Sequence, residues 1–136
     1  MNKLSASLED YIEAIYIVLE KNPVCRVTDI MKILNVSKPS IVNALSILKE
    51  KNLIAQEKYG FIELTEEGKK MAKRVYSKHS AIRQFLISLF DIEYSDANAL
   101  ACKIEHVVPE KVIKSMENVS RNISPALKKS LLKEKK

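Results

Sequence analysis

The chain is expected to be mainly α-helical: a helix-turn-helix closed by a β-hairpin, then a small all-helical module. Three observations carry that expectation. Apolar residues recur at helical spacing along most of the chain. Two short strand-like runs, Leu53–Lys58 and Phe61–Leu64, flank Tyr59-Gly60. Only two glycines occur in 136 residues, which excludes glycine-rich phosphate loops, dinucleotide-binding turns and many β-rich folds.

The elements follow in order. Leu8, Ile12, Ile15, Tyr16 and Leu19 form a stripe that ends near Lys21, with Ser7 and Asp10 as its start signal, and Asn22-Pro23 breaks it. Thr28 is expected to cap a short helix carrying Ile30, Met31, Ile33 and Leu34; Asn35-Val36 turns the chain. Ser37 caps a third helix with Pro39 in its first turn, where a missing N–H does no harm, and Ile41, Leu45 and Leu48 face inward. Two short helices after a longer one, followed by the hairpin, make a winged helix-turn-helix. Thr65-Glu66-Glu67 opens a long helix to about Leu89, its acidic residues placed where the helix dipole favours them. Ser95-Asp96 is expected to cap a further helix to about His106, and Pro109 opens one more to about Met116. The expected division is a winged-helix domain over 1–72, a helical dimerisation and metal-binding domain over 73–120, and a basic tail over 121–136.

The net charge of +6 is unevenly placed: residues 121–136 carry 6 Lys/Arg against 1 Asp/Glu, while residues 1–60 carry 8 against 7. A lysine-rich end reads first as a solvated terminus, so an argument for nucleic acid has to come from pattern. Two cysteines are too few for a disulfide framework and fit a reducing compartment, and the polar beginning MNKLSASLED lacks a secretory signal. With no apolar run of roughly 18 residues, the expectation is a cytoplasmic protein with no membrane partner.

Ser37, Lys38, Pro39, Ser40 and Asn43 stand at the start of the third helix. Serine hydroxyls and free N–H groups suit phosphate, asparagine can reach a base edge, and proline can touch a thymine methyl. Lys58 and Tyr59 at the hairpin tip suit contacts to the DNA backbone. Each residue alone could simply start a helix or lie in solvent; the helix-turn-helix and wing together point to double-stranded DNA.

A second constellation suits metal. On a helix Cys102, Glu105 and His106 are spaced i, i+3 and i, i+4, so thiolate, carboxylate and imidazole can share one volume. Asp10 and Glu13 are likewise i, i+3, and His79, one of two histidines, lies on the long helix. Taken singly, an acidic pair is a solvated face and a cysteine is packing.

The segments Ser7-Leu-Glu-Asp-Tyr-Ile-Glu-Ala-Ile-Tyr, Arg26-Val-Thr-Asp-Ile and Leu64-Thr-Glu-Glu-Gly-Lys, with the His79 helix and the Glu105-His106 pair, resemble the diphtheria toxin repressor family over residues 5 to about 118. The chain is similar to the short branch that includes the manganese transport regulators, without a third, SH3-like domain. The resemblance implies a cytoplasmic homodimeric repressor that binds operator DNA when loaded with metal. It also implies a ligand set of Asp10, Glu13, His79, Cys102, Glu105 and His106. Asp10 matches the manganese-responsive members and Cys102 the iron-responsive ones, while Arg83 and Asn98 stand where the latter carry ancillary acidic and imidazole ligands. A thiolate softens the site and Asp10 and Glu13 harden it, giving Mn(II) or Fe(II) as the expected ion and Zn(II) or Co(II) as occupants in vitro. Metal would then set the spacing of the two recognition helices of a dimer, whose surface is expected on Ile82, Phe85, Leu86, Leu89, Phe90 and Leu100. The alternative is a winged-helix regulator that senses an organic ligand without metal. An enzyme using Cys102 and His106 is disfavoured because no glycine-rich oxyanion loop or orienting partner is present.

Overall fold

The computed structural model describes residues 4–57 and 60–133. Lys58 and Tyr59, expected at the wing tip, lie outside the described residues. The chain divides into two compact units, Met1–Val75 and Tyr76–Lys136.

In the first unit, helix α1 (Ala6–Lys21) is capped by Ser5, whose hydroxyl accepts the Leu8 N–H at 3.2 Å. The expected start at Ser7 is therefore two residues late: Ser5 holds the extended N-cap conformation, and Ser7 already lies in the first turn. Asn22 is extended (ψ 149°), as the residue before Pro23 must be, and ends the helix. Helix α2 (Val27–Leu34) starts from Arg26 rather than Thr28, because the Asp29 carboxylate reaches back to accept the Arg26 N–H at 2.9 Å. It ends at Asn35 in the left-handed conformation (φ 53°, ψ 49°), one of the few residue types that tolerate it. Helix α3 (Lys38–Glu50) is capped by Ser37, which accepts the Ser40 N–H at 3.3 Å, with Pro39 in the first turn.

Strands β1 (Ile54–Gln56) and β2 (Ile62–Leu64) pair antiparallel, Ala55 opposite Glu63. The turn is closed by the Gly60 N–H donating to Glu57 O at 2.8 Å, with Gly60 at φ +84°. Cys25 extends this sheet: its carbonyl accepts the Ile62 N–H at 2.8 Å. Ile12, Ile15, Ile30, Ile41, Leu48 and Ile62 are fully buried in one core that joins the three helices to the hairpin.

Helix α4 (Glu66–Phe90) runs from the first unit into the second. Its first turn needs a glycine. A Cβ on Gly68 would lie 1.9 Å from the Leu53 carbonyl oxygen, and that same oxygen accepts the Thr65 N–H at 3.1 Å. The helix start is thus laid directly on the backbone entering β1.

In the second unit, α5 (Tyr94–Ile104) begins from Glu93, not Ser95, and Asp96 falls in the first turn at the positive end of the helix dipole. Residues Glu105–Val107 form a separate 3₁₀ turn. Helix α6 (Glu110–Asn122) runs six residues past the expected end at Met116. The segment expected as a basic tail carries a further helix, α7 (Pro125–Leu132), capped by Ser124 accepting the Leu127 N–H at 3.1 Å. Ala81, Ile82, Leu86, Ala97, Ala101 and Ile113 make this unit's core. Ile82 and Leu86, expected at a dimer surface, are therefore internal; Phe90 and Leu100 of that stripe stay exposed. Among the described residues no helix is long and apolar enough to cross a membrane.

Candidate DNA-reading face and metal centre

In the first unit the inward stripe of α3 (Ile41, Ala44, Leu45, Leu48) fixes which residues face out: Lys38, Pro39, Ser40, Val42, Asn43 and Ser46 are exposed. Ser37 is also exposed, but its hydroxyl is engaged in the cap, accepting the Ser40 N–H and donating to Ser40 Oγ at 2.9 Å. Val42, 52% exposed, was missed by the sequence reading. An apolar side chain beside Asn43 on a helix that otherwise buries its apolar residues was the available signal. Such a face offers polar groups, one cation and two apolar contacts, the mixture that base edges and phosphates accept. Arg26 lies 4.9 Å over the ring of Phe61, at the turn end of the hairpin.

On α1, Asp10 is half-buried and Glu13 is 5% exposed. Cys25 is fully buried, and burial, together with the Asp29 charge, pushes its thiol up from 9.0 to about 12. It is therefore a neutral packing group at ordinary pH and a poor ligand.

In the second unit α4 supplies His79 and α5 supplies Asn98 and Cys102, while the 3₁₀ turn supplies Glu105 and His106. The expected single helix holding Cys102, Glu105 and His106 is thus broken. Winding tightens after Ile104, so Cys102 lies in the last α-turn, half-buried, with the other two in the 3₁₀ turn. His79 and Glu105 are buried, and Nδ1 of His79 lies 2.6 Å from Oε2 of Glu105. His79 Nε2 lies 2.6 Å from Oδ1 of Asn98, and its ring stacks near Tyr76 with centroids 6.5 Å apart. Among the described residues Glu105 Oε1 is buried with no hydrogen-bond partner, and His106 Nε2 stands 3.6 Å away, beyond hydrogen-bond range.

A buried carboxylate oxygen without a donor is costly in a dry protein. Two imidazoles beside it make a poor explanation by themselves and a good one with a cation, since carboxylate oxygen and imidazole nitrogen are ordinary ligands for divalent transition metals. The donor set fits such an ion.

The sequence matches two family profiles, described as "Iron dependent repressor, N-terminal DNA binding domain" over residues 3–61 and "Iron dependent repressor, metal binding and dimerisation domain" over residues 65–124. It is 31% identical over 115 residues to an uncharacterized HTH-type transcriptional regulator of Methanocaldococcus jannaschii, covering 84% of this chain and 92% of that one. It is also 31% identical over 118 residues to the HTH-type transcriptional regulator MntR of Bacillus subtilis, covering 87% of this chain and 72% of the relative. Among solved structures it resembles T. acidophilum IdeR (TM-score 0.73, 25% identity, 89% of this chain and 55% of that one). Its fold is also that of the manganese regulator SloR (TM-score 0.75, 23% identity, 85% and 54%). The chain thus spans about half the length of these two solved proteins.

Proposed function

The chain belongs to the iron-dependent repressor family of metal-dependent transcriptional regulators, and from that premise we propose that it represses genes of manganese or iron homeostasis by binding operator DNA when loaded with a divalent transition metal. The observation that carries the proposal is the buried Glu105 carboxylate, set against His79 with one oxygen left without a hydrogen-bond donor.

The proposed ligands are Asp10, Glu13, His79, Cys102, Glu105 and His106, with Mn(II) or Fe(II) as the physiological ion and Zn(II) or Co(II) as competent substitutes in vitro. When bound, the ion would supply positive charge that offsets the carboxylates of its ligand set. The chain's own residues do the rest. Glu105 and His79 hold donor atoms in a water-poor setting. Asp10 and Glu13 belong to the helix that opens the DNA-binding unit, so a shared ligand set links metal occupancy to the placement of α3. A coupling of about 1–3 kcal/mol corresponds to a 5–150-fold change in operator affinity.

Ser37, Lys38, Pro39, Ser40 and Asn43, with Lys58 and Tyr59 of the wing, are the proposed DNA contacts. The working division is 1–72 for DNA, 73–120 for metal and dimerisation, and 121–136 as a basic tail. The working state is a cytoplasmic homodimer, to which Phe90 and Leu100 of the expected stripe offer exposed apolar surface.

The test is an anaerobic titration of the metal-free protein with Mn(II), Fe(II), Co(II) and Zn(II), following retention of double-stranded promoter fragments. At least one ion is expected to tighten retention, with His106→Ala abolishing the response. Retention indifferent to every ion overturns the reading and leaves a winged-helix regulator with another signal.

A further inference from the structure

Helix α7 carries its apolar ridge on the outside. None of its residues is buried, and Leu127 and Leu131, one helical turn apart, are 53% and 58% exposed. The helix starts just past residue 124, where the match to the dimerisation profile ends. The Ser124 cap and Pro125 in the first turn start it well. A helix of eight residues is nevertheless marginal in water and draws most of its stability from packing an apolar face. A surface that covers Leu127 and Leu131 would supply that packing.

Charge decides what kind of surface fits. Residues 121–136 carry 6 Lys/Arg against 1 Asp/Glu, and α7 itself holds Lys128 and Lys129 with no acidic residue. Two copies of α7 laid on each other would set like charges together. A DNA backbone would take the lysines but leave the leucines in water. The fitting surface is both apolar and acidic.

The second unit has such a surface. Residues 84–102 contain three acidic residues, Asp91, Glu93 and Asp96, and no Lys or Arg. All three are exposed where α4 turns into α5. Phe90 and Tyr94 are exposed among them, and Leu100, also exposed, lies one turn along α5 from Asp96. Arg83 nearby is already engaged, 4.8 Å over the Tyr94 ring and donating to Asn98 Oδ1 at 3.1 Å.

We propose that α7 is a dimer arm that docks on the α4–α5 corner of a second copy, its leucines on the exposed aromatic rings and its lysines against Glu93 and Asp96. The proposal rests on the homodimer reading and assigns the basic end a part in it. Twofold symmetry makes the contact twice, each copy giving one arm and receiving one.

The experiment is sedimentation of the full chain at about 0.1 M salt, where charges are screened beyond roughly 10 Å. Wild type is compared with an arm variant, Lys128→Glu with Lys129→Glu, and a corner variant, Glu93→Lys with Asp96→Lys. Each variant alone is expected to dimerise at least about 10-fold more weakly, since it sets like charges together in both contacts. Mixing the two variants is expected to restore dimers, because the acidic arm then meets the basic corner and the basic arm meets the acidic one. Leu127→Ser with Leu131→Ser is expected to give a comparable loss without altering any charge, which covers a corner variant that fails to fold. A wild type that stays monomeric throughout the titrated range overturns the homodimer reading and the arm with it. A wild-type dimer that no variant loosens leaves that reading standing and overturns the arm. Recovery with all four charge changes in one chain, but not on mixing, places α7 on its own corner and overturns the exchange. Weaker promoter retention with dimerisation unchanged assigns α7 to DNA and overturns it as well.

Discussion

The two units are held together by different means. The first buries a continuous aliphatic core in which Ile12, Ile15, Ile30, Ile41, Leu48 and Ile62 have no exposed surface. The second has a core of six side chains, three of them alanines, and buries His79 and Glu105 beside it. Burial of aliphatic surface is non-directional and adds up with area. A buried carboxylate–imidazole pair is directional and contributes only when its remaining atoms are satisfied. The DNA-binding unit is thus built to be stable without help, and the metal-binding unit is built to respond.

The largest test of that contrast is Leu48→Ala. It is expected to cost about 4 kcal/mol, within the range for emptying a buried leucine site, and to be measured by urea unfolding with metal absent and present. The loss should be nearly the same in both conditions. Metal itself should act mainly on the second unit, reaching the first only through α1, which carries Asp10 and Glu13. At a free Zn(II) concentration 100 times Kd the protein gains about 2.7 kcal/mol, seen as slower amide exchange among residues 76–122 and lost in His106→Ala. Equal slowing throughout residues 4–57 of the wild type would break the comparison.

Gly68→Ala pushes a methyl into the Leu53 carbonyl. Overpacking of this kind costs about 2 kcal/mol, and the same unfolding assay reads it in the first unit. Raising pH tests the buried thiol. Cys25 stays protonated in the fold up to about 12, against 9.0 when exposed. Above pH 9 the unfolded chain therefore loses its proton first, and stability falls with rising pH, by about 1.4 kcal/mol per unit. Cys25→Ser, measured over the same alkaline window, removes that slope. Ser37→Ala is the smallest change. Losing the cap of α3 costs about 1 kcal/mol and is expected to weaken DNA retention uniformly, without altering the response to metal.

Much of the first unit was legible because its signals are local. The Ser37 cap with Pro39, Asn35 at a left-handed turn and the apolar stripe of α3 each depend on residues within a few positions. Where another nearby group could do the same work, the boundary moved. Ser5 caps α1 ahead of Ser7, and the carboxylate of Asp29 reaching back to Arg26 starts α2 ahead of Thr28. Spacing alone could not reveal the 3₁₀ turn at Glu105–Val107, because i, i+3 and i, i+4 relations assume that α-helical winding continues. The stripe of α4 was ambiguous for a related reason. Periodicity marks an apolar face but not what covers it, so Ile82 and Leu86 went into the unit's own core while Phe90 and Leu100 did not.

Residue types, helix caps and periodicity by themselves determined the winged helix-turn-helix, its outward face and the types of ligand atom available, because these are consequences of local backbone geometry and side-chain chemistry. Only the tertiary structure decided that Gly68 must lack a side chain, that Cys25 extends the hairpin, and that Arg83 and Asn98 reach His79 while Glu105 keeps an oxygen without a donor. These are meetings of atoms distant in sequence. Packing sets them, and no spacing rule along the chain encodes them.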